Sequence, residues 1–569
     1  MFKILSQKQD AIVFPDFKRV TVRACPGSGK TFTVAARLAN KIGGWKDKNI
    51  GIACLSFTNV AWEEIERFSV RFGTTIPIRH PHFLGTIDSF VNRFIFLPFG
   101  HLVMGCQRRP ILVGEPYGVW AGRYFSEQWF DKSSFDINGN FIFTRSYPPP
   151  PIKSAQAVCQ AKHNLFKAGY ANQDDANFFS LKILREYPDI TRSLVVRFPV
   201  LLIDEAQDTT AIQMAIIDEF VKTGAEEIFL VGDPDQAIFE WNTADPKLFQ
   251  SKCKEWECIP LDECRRSSQK ICDFVYPLSS LDKPALAVTP EISNCIIQPI
   301  VMEYTDRSIL IKDFLKSCEN GDTPINKENV AILSRSKKKV SEVAKILNEH
   351  RDQGTINVSN PYEIWDENFY WCKDLCEGKF LIDKGIYKEG YKLIERGCYK
   401  GLNQAAYFSK ENLVLYIRNM GFIKWRYFVH EIIKTLPSTS SNLSDWLSLF
   451  LPIAQKFFGI TNLNGAIKNV HATLSIQSIF TQTEILFTNL PVRLGTIHSV
   501  KGETFEAVLV VMDSKAGNTK YATIMKRCKK GDLLEEELRN IYVAITRPRK
   551  ILTLGVPQGE GDLWNKFLQ

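Results

Sequence analysis

The chain has 569 residues, 45% of them hydrophobic and 24% charged, and a formal net charge of +8. That is ordinary globular composition, long enough for three or four structural units, and it excludes a disordered or fibrous chain. The mild excess of 71 basic over 63 acidic residues suits a channel for a polyanion but selects no partner by itself.

In chain order, Met1 to Asp10 is broken by polar side chains and does not read as a secretory leader. The most apolar run, Phe94–Gly105, carries Pro98, Gly100 and His101 and is too short to cross a bilayer. A cytoplasmic protein with no membrane partner is therefore expected. The fourteen cysteines contain no Cys-x-x-Cys pair, and reduced thiols are expected rather than a metal site.

Apolar, β-branched runs predict strands at Arg19–Ala24, Asn49–Phe57, Val200–Ile203, Ile228–Val231, Val330–Leu333, Ala507–Met512 and Ile551–Leu554. Helical patterns follow most of them, as in Thr31–Ile42 and Val60–Phe68. Continuous apolar strands alternating with helices indicate parallel sheets covered on both faces. The expected fold is α/β, with two parallel-sheet P-loop domains, each interrupted by a mostly helical insertion. The first domain would use residues 1–92 and 191–268 around an insertion at 93–190. The second would use 269–380 and 476–569 around a reduced insertion at 381–475. Pro148 to Pro151 reads as a rigid connector and Ala176–Tyr187 as a helix of the first insertion. No internal sequence repeat is expected.

Two segments carry chemistry on their own. Ala24-Cys25-Pro26-Gly27-Ser28-Gly29-Lys30-Thr31 follows a strand and opens a helix, the setting a phosphate cradle requires. Gly27 and Gly29 let backbone N–H groups face phosphate, Lys30 is placed for the β and γ phosphates of a nucleotide, and the Thr31 hydroxyl for Mg²⁺. Leu201-Leu202-Ile203-Asp204-Glu205-Ala206-Gln207-Asp208 is a strand ending in acids. Asp204 is expected to bind Mg²⁺ and Glu205 to polarise the attacking water. A third strand ends in Gly232-Asp233-Pro234-Asp235-Gln236, which places the Gln236 amide where it can sense γ-phosphate and water. Trp241 is expected either to pack in a core or to stack a base. Arg266, in Leu261-Asp262-Glu263-Cys264-Arg265-Arg266-Ser267, and Arg547 each read as surface charge in isolation; their order after the other segments makes them candidates to neutralise transferring phosphate.

This ordered series resembles the UvrD/Rep/PcrA group of superfamily 1 DNA helicases, and the resemblance runs the length of the chain. Leu5-Ser6-Gln7-Lys8-Gln9 is similar to the family's adenine-reading segment, with Gln9 as the reader. Leu55-Ser56-Phe57-Thr58-Asn59, Gly85-Thr86-Ile87-Asp88-Ser89-Phe90 and Gly495-Thr496-Ile497-His498-Ser499-Val500-Lys501-Gly502 resemble its DNA-contact segments. Ala331 to Arg335 and the run ending in Val543-Ala544-Ile545-Thr546-Arg547 resemble two further motifs. The likeness implies two RecA-like domains with ATP and Mg²⁺ between them. It also implies 3′ to 5′ travel on single-stranded or tailed DNA, with Phe57, Thr58, Thr86, Trp241 and His498 as contacts. Where the family stacks adenine on a tyrosine this chain has Arg265, with Phe32 as the other candidate. Asp88 replaces a histidine, which weakens a phosphate contact, and Thr504 stands where a ribose-binding glutamate is usual, with Glu503 one residue earlier. Short motors of this kind resemble the helicase component of Gabija-type anti-phage systems, which implies a separate OLD-family nuclease as partner. The alternatives are a repair helicase, a nucleic-acid-activated regulatory ATPase that unwinds little, and a non-motor P-loop enzyme whose turnover ignores DNA.

Overall fold

The computed structural model describes residues 4–112, 133–143, 152–238, 244–349, 364–404, 410–467, 473–477, 479–480, 491–528 and 533–568. The Pro148–Pro151 run falls outside them. Two compact units emerge: residues 1–114, 128–340 and 491–569 form one, and 115–127 with 341–490 the other.

The larger unit is built on two parallel sheets. The first contains β1 (Arg19–Ala24), β2 (Ile52–Ser56), β3 (Phe83–Thr86), β4 (Val200–Ile203), β5 (Glu227–Gly232) and β6 (Glu257–Leu261), in the order β6-β1-β5-β4-β2-β3. The second contains β7 (Ile300–Tyr304), β8 (Val330–Ser334), β9 (Arg493–Thr496), β10 (Phe505–Val511) and β11 (Pro548–Pro557), in the order β7-β11-β10-β8-β9. Every pairing within both sheets is parallel. The interior strands are apolar because helices cover both faces; β4, β5 and β8 are buried throughout. The edge strands β3, β6, β7 and β9 are partly exposed, and the sequence did not predict them as strands.

The first sheet carries an insertion of helices Ile152–Lys167, Gln173–Glu186 and Pro188–Arg197 with a small hairpin, Ser133–Phe135 against Phe141–Phe143. Its core is a cluster of phenylalanines, with Phe135 stacked on Phe178 at 4.9 Å.

The smaller unit is helical, with helices Tyr370–Asp383, Tyr387–Asn403, Lys410–Met420, Phe422–Thr435 and Leu443–Phe458 around Trp371, Trp425, Trp446 and Phe450. The boundary expected at 380/381 cuts the first of these helices. Its Trp371, Cys372, Leu375 and Phe380 belong to this aromatic core rather than to the second sheet.

One short turn motif recurs. Gly85-Thr86-Ile87-Asp88-Ser89 and Gly495-Thr496-Ile497-His498-Ser499 occupy equivalent places, each closing an edge strand. The neighbouring strand is matched too: Leu55 and Ser56 pair with Gly85 and Thr86, as Leu333 and Ser334 pair with Gly495 and Thr496. Four of the five residues are identical, too short a match to register as a sequence repeat without the sheets around it.

Candidate active site

The carboxyl ends of β1, β4 and β5 meet at one place. β1 delivers Ala24, and the Cys25 N–H donates to the Leu261 carbonyl at 3.0 Å, tying the loop's start to β6. Gly27 and Gly29 have φ of 72° and 80°, the left-handed region that favours glycine. A Cβ on Gly27 would lie 2.5 Å from the Cβ of Arg266, so the backbone is also closely overlaid. Gly29 caps the helix Lys30–Gly44 without a side-chain bond, leaving its first N–H groups to an anion.

Lys30 is 8% exposed, with Nζ 3.7 Å from Glu205 Oε2 and 3.5 Å from Gln236 Oε1. Burial would lower its ammonium, but Glu205, Asp233 and Asp204 outweigh that and hold it above the usual value. The Thr31 hydroxyl donates to Asp204 Oδ2 at 3.0 Å. Burial, with Glu205 beside it, pushes Asp204 up to about 7. Burial acts on Glu205 in the same direction, but Lys30, Lys501, a hydrogen bond from Gln207 and Arg547 reverse it and hold that carboxyl at about 2. The two neighbouring acids are thus driven apart, one proton-binding and one kept ionised.

From the other side, Arg547 is 1% exposed and is anchored by its own Nε to the Val543 carbonyl at 2.8 Å. Burial and then the Arg266 charge weaken its hold on its proton. Arg266 donates to the Thr546 carbonyl at 3.2 Å, and the following serines bind the second sheet, Ser267 Oγ to the Pro548 carbonyl at 2.7 Å and the Ser268 N–H to the Arg549 carbonyl at 2.9 Å. Two guanidiniums and an ammonium therefore converge where the buried Ser28 Oγ and Gln236 Nε2 have no hydrogen-bond partner. Buried like charges repel strongly in a low-dielectric site, and a polyphosphate would supply the missing partner. The Thr31 hydroxyl and Asp204 carboxylate are hard oxygen donors and fit Mg²⁺, which would supply charge neutralisation there.

The adenine side is less uniform. Gln9 is fully buried; its Oε1 accepts the Ser6 N–H at 3.1 Å and its Nε2 donates to Thr33 Oγ1 at 3.1 Å. Gln9 and Arg265 both flank Gly29, at 3.4 and 4.0 Å from where its Cβ would be. Phe32 instead packs on Phe68 and Phe72, with ring centroids 5.5 and 5.1 Å away. Arg265 is thus the stacking candidate beside the loop. Glu503 is engaged by Arg493, with Nη2 to Oε1 at 3.1 Å.

Among the expected DNA contacts, Thr58 is exposed and Phe57, Thr86 and His498 are partly so. Thr58 caps the helix Asn59–Ser69, accepting the Ala61 N–H at 3.3 Å, and Thr86 accepts the Ser89 N–H at 3.1 Å. Trp241 lies outside the described residues. Asp88 turns inward: its Oδ1 accepts from Asn177 Nδ2 at 3.1 Å and from Gln213 Nε2 at 2.9 Å. Burial raises its carboxyl. It is a tie between the first insertion and the helix after β4. Gln207, Asp208 and Lys501 carry no signal of a shared place in the sequence; tertiary contact brings Lys501 to the adjacent Gln207 and Asp208.

Two helicase family models match the chain. The UvrD/REP helicase N-terminal domain covers residues 5–100 and 140–257, and the UvrD-like helicase C-terminal domain covers 287–558. YjcD of Bacillus subtilis, whose name is that of a putative ATP-dependent DNA helicase, is 22% identical over 436 residues, 68% of this chain and 55% of YjcD. The RecBCD enzyme subunit RecB of Buchnera aphidicola is 27% identical over 206 residues, 36% of this chain and 15% of RecB. The exonuclease/helicase subunit RexA of Lactococcus lactis is 33% identical over 139 residues, 23% of this chain and 11% of RexA. The chain spans about half the length of these relatives or less.

Proposed function

The chain belongs to the UvrD-like helicase family, and from that premise we propose that it is a DNA-dependent ATP hydrolase that moves on single-stranded DNA and unwinds duplex. The observation that carries this reading is the placing of Lys30 3.7 Å from Glu205 and 3.5 Å from Gln236, with Thr31 on Asp204 and Arg266 laid over Gly27 of the same loop. Lys30 and the loop N–H groups hold the β and γ phosphates. Thr31 and Asp204 would hold Mg²⁺, which neutralises charge on the phosphate oxygens when bound. Glu205 accepts the proton as water adds to the γ-phosphorus, Gln236 orients that water, and the two arginines offset charge as the bond to ADP breaks. Loss of γ-phosphate removes what the arginines and Lys30 share, so the cleft between the two sheets reopens. Phe57, Thr58, Thr86, Trp241 and His498 form the DNA track, and travel runs 3′ to 5′ by family likeness.

ATP turnover with single-stranded, duplex and tailed DNA tests the reading. Stimulation by single-stranded DNA, with unwinding of the tailed duplex, is expected; turnover indifferent to DNA defeats it. A second reading, a regulatory ATPase that unwinds little, is favoured by the small helical unit, and strong stimulation without unwinding would select it. We also propose a separately encoded nuclease of the OLD family as partner in defence. RexA is by name a subunit of an exonuclease/helicase and RecB a subunit of the RecBCD enzyme, which supports a partner subunit without selecting its family. Co-purification from native cells followed by a cleavage assay tests it, and a solitary processive helicase would point to repair instead.

A further inference from the structure

Three thiols meet beside the phosphate loop, and ATP cleavage as described uses none of them. Cys25, Cys264 and Cys272 are all buried and form one small cluster with Ala285. Cys25 lies within the loop itself. Cys264 ends the short strand Glu263–Cys264, which pairs with Leu286–Ala287, and Cys272 sits in the helix Gln269–Val275. Between the last two runs the turn that carries Arg265 and Arg266. That turn is held at both ends. The Arg265 N–H donates to the Gly27 carbonyl at 2.9 Å, and Ser267 Oγ to the Pro548 carbonyl at 2.7 Å.

The Cys264 sulfur is the inner support of the turn. It accepts the Ser267 N–H at 3.3 Å, and a Cβ on Gly27 would lie 3.2 Å from it. The Cys272 thiol reaches the same place, with Sγ 4.0 Å from the Ser267 carbonyl oxygen, and donates to the Cys264 sulfur. That donated bond, the Ser267 and Arg266 N–H groups and the Arg266 charge outweigh burial and hold the Cys264 thiol below its usual range. The same bond, and then burial, pushes Cys272 up. One sulfur is thereby prepared as a nucleophile and its neighbour keeps a proton. Both line a cavity of about 20 Å³ shared with Pro26, Ser267, Tyr542 and Thr546. Such a space admits one molecule near the size of water.

We propose that Cys264 and Cys272 are an oxidative modification site, which hydrogen peroxide converts to a disulfide that displaces Arg266 and stops ATP turnover. The effect on turnover rests on the proposed function. The Cys264 thiolate attacks one peroxide oxygen: the S–O bond forms, the O–O bond breaks, and the hydroxide released takes a solvent proton and leaves as water. Cys272 then gives up its proton and attacks the sulfenic sulfur. The S–S bond forms, the S–O bond breaks, and the second oxygen leaves as water with that proton. Each sulfur loses one electron and the peroxide gains two. The sulfurs close from hydrogen-bond contact to about 2 Å, and Cys264 loses the charge that held the Ser267 and Arg266 N–H groups. Because the turn is pinned at Gly27 and Pro548, the pull falls on Arg266 between them.

The test treats the reduced full chain with hydrogen peroxide, maps disulfides by mass spectrometry without reductant, and follows ATP turnover before treatment, after it and after dithiothreitol. A Cys264–Cys272 link is expected, with turnover lowered about tenfold or more and restored by dithiothreitol. Cys264→Ser keeps an acceptor for the Ser267 N–H, so its turnover should survive peroxide. Cys272→Ala removes the second thiol, so dimedone should trap the Cys264 sulfenic acid. A second thiol pair, Cys253 and Cys258, lies at the start of β6. A link between those two alone, or from Cys264 to Cys25, would overturn the proposal, as would peroxide inactivation of Cys264→Ser equal to wild type. If Cys264→Ser does not fold, the wild-type map and the dimedone adduct of Cys272→Ala decide the site. A reduced wild type without ATP turnover defeats the proposed function, and the map still decides the site. A Cys264–Cys272 link that leaves turnover intact defeats this inference alone.

Discussion

The turns Gly85–Ser89 and Gly495–Ser499 use one backbone device in two halves of the molecule, and a single side chain separates their duties. In both, the threonine hydroxyl accepts the serine N–H, at 3.1 Å for Thr86 and 3.3 Å for Thr496. The serine hydroxyl donates back to the threonine carbonyl at 2.7 and 2.8 Å. A Cβ on Gly85 or Gly495 would crowd that hydroxyl, at 2.9 and 2.6 Å, so glycine leaves room for the serine bond in each. The residue between differs. Asp88 points into the protein and is consumed by Asn177 and Gln213; His498 is half-buried beside the Gln236 turn, and burial lowers its imidazole. The shared turn is thus structural, and one position decides whether the edge serves the insertion or the site. The same asymmetry holds more widely, with phosphate loop and acids on the first sheet and Arg547 and Lys501 from the second.

If phosphate chemistry belongs to the first half, Lys30→Ala should abolish ATP turnover, a loss beyond about 10³-fold, and residual turnover near wild type would break the assignment. Glu205→Gln keeps shape but cannot take a proton, so turnover should fall by about 10²–10⁴-fold with ATP and DNA still bound. A loss under tenfold would move the base elsewhere. The second half's share is read by Arg547→Ala, and Arg266→Ala beside it. Each should cut the saturated rate by about 10²-fold while sparing most nucleotide affinity; weaker affinity at a normal saturated rate would restrict them to ground-state binding.

Smaller effects sharpen the comparison of the turns. Asp88→Ala strands two donors in a largely buried place and should cost about 1–3 kcal/mol in denaturant unfolding. His498→Ala should cost less stability and weaken single-stranded DNA binding instead. The reverse pattern would exchange the roles assigned to the two turns. Ser89→Ala and Ser499→Ala should each cost about 0.5 kcal/mol, since the bonds they lose are exposed, and unequal losses would show that the turns are not equivalent.

Several features were legible because chain-local physics writes them. The interior strands read as unbroken apolar runs, and the predicted Val200–Ile203 is the observed β4, since a strand covered on both faces has no polar positions to spare. The phosphate loop was legible because Gly27, Gly29, Lys30 and Thr31 meet a local backbone demand within eight residues. The edge strands β3, β6, β7 and β9 were not legible: one side faces solvent, and their runs are broken by polar residues, glycine or proline. The sequence by itself determined the α/β class, the cradle, the acids and the arginines. Tertiary structure alone decided that Asp88 faces inward, that Phe32 is spent on Phe68 and Phe72, and that Lys501 reaches Asp208 across 293 residues of chain. Those outcomes depend on which groups folding buries together, and burial is set by the packing of distant segments, not by the spacing of residues along the chain.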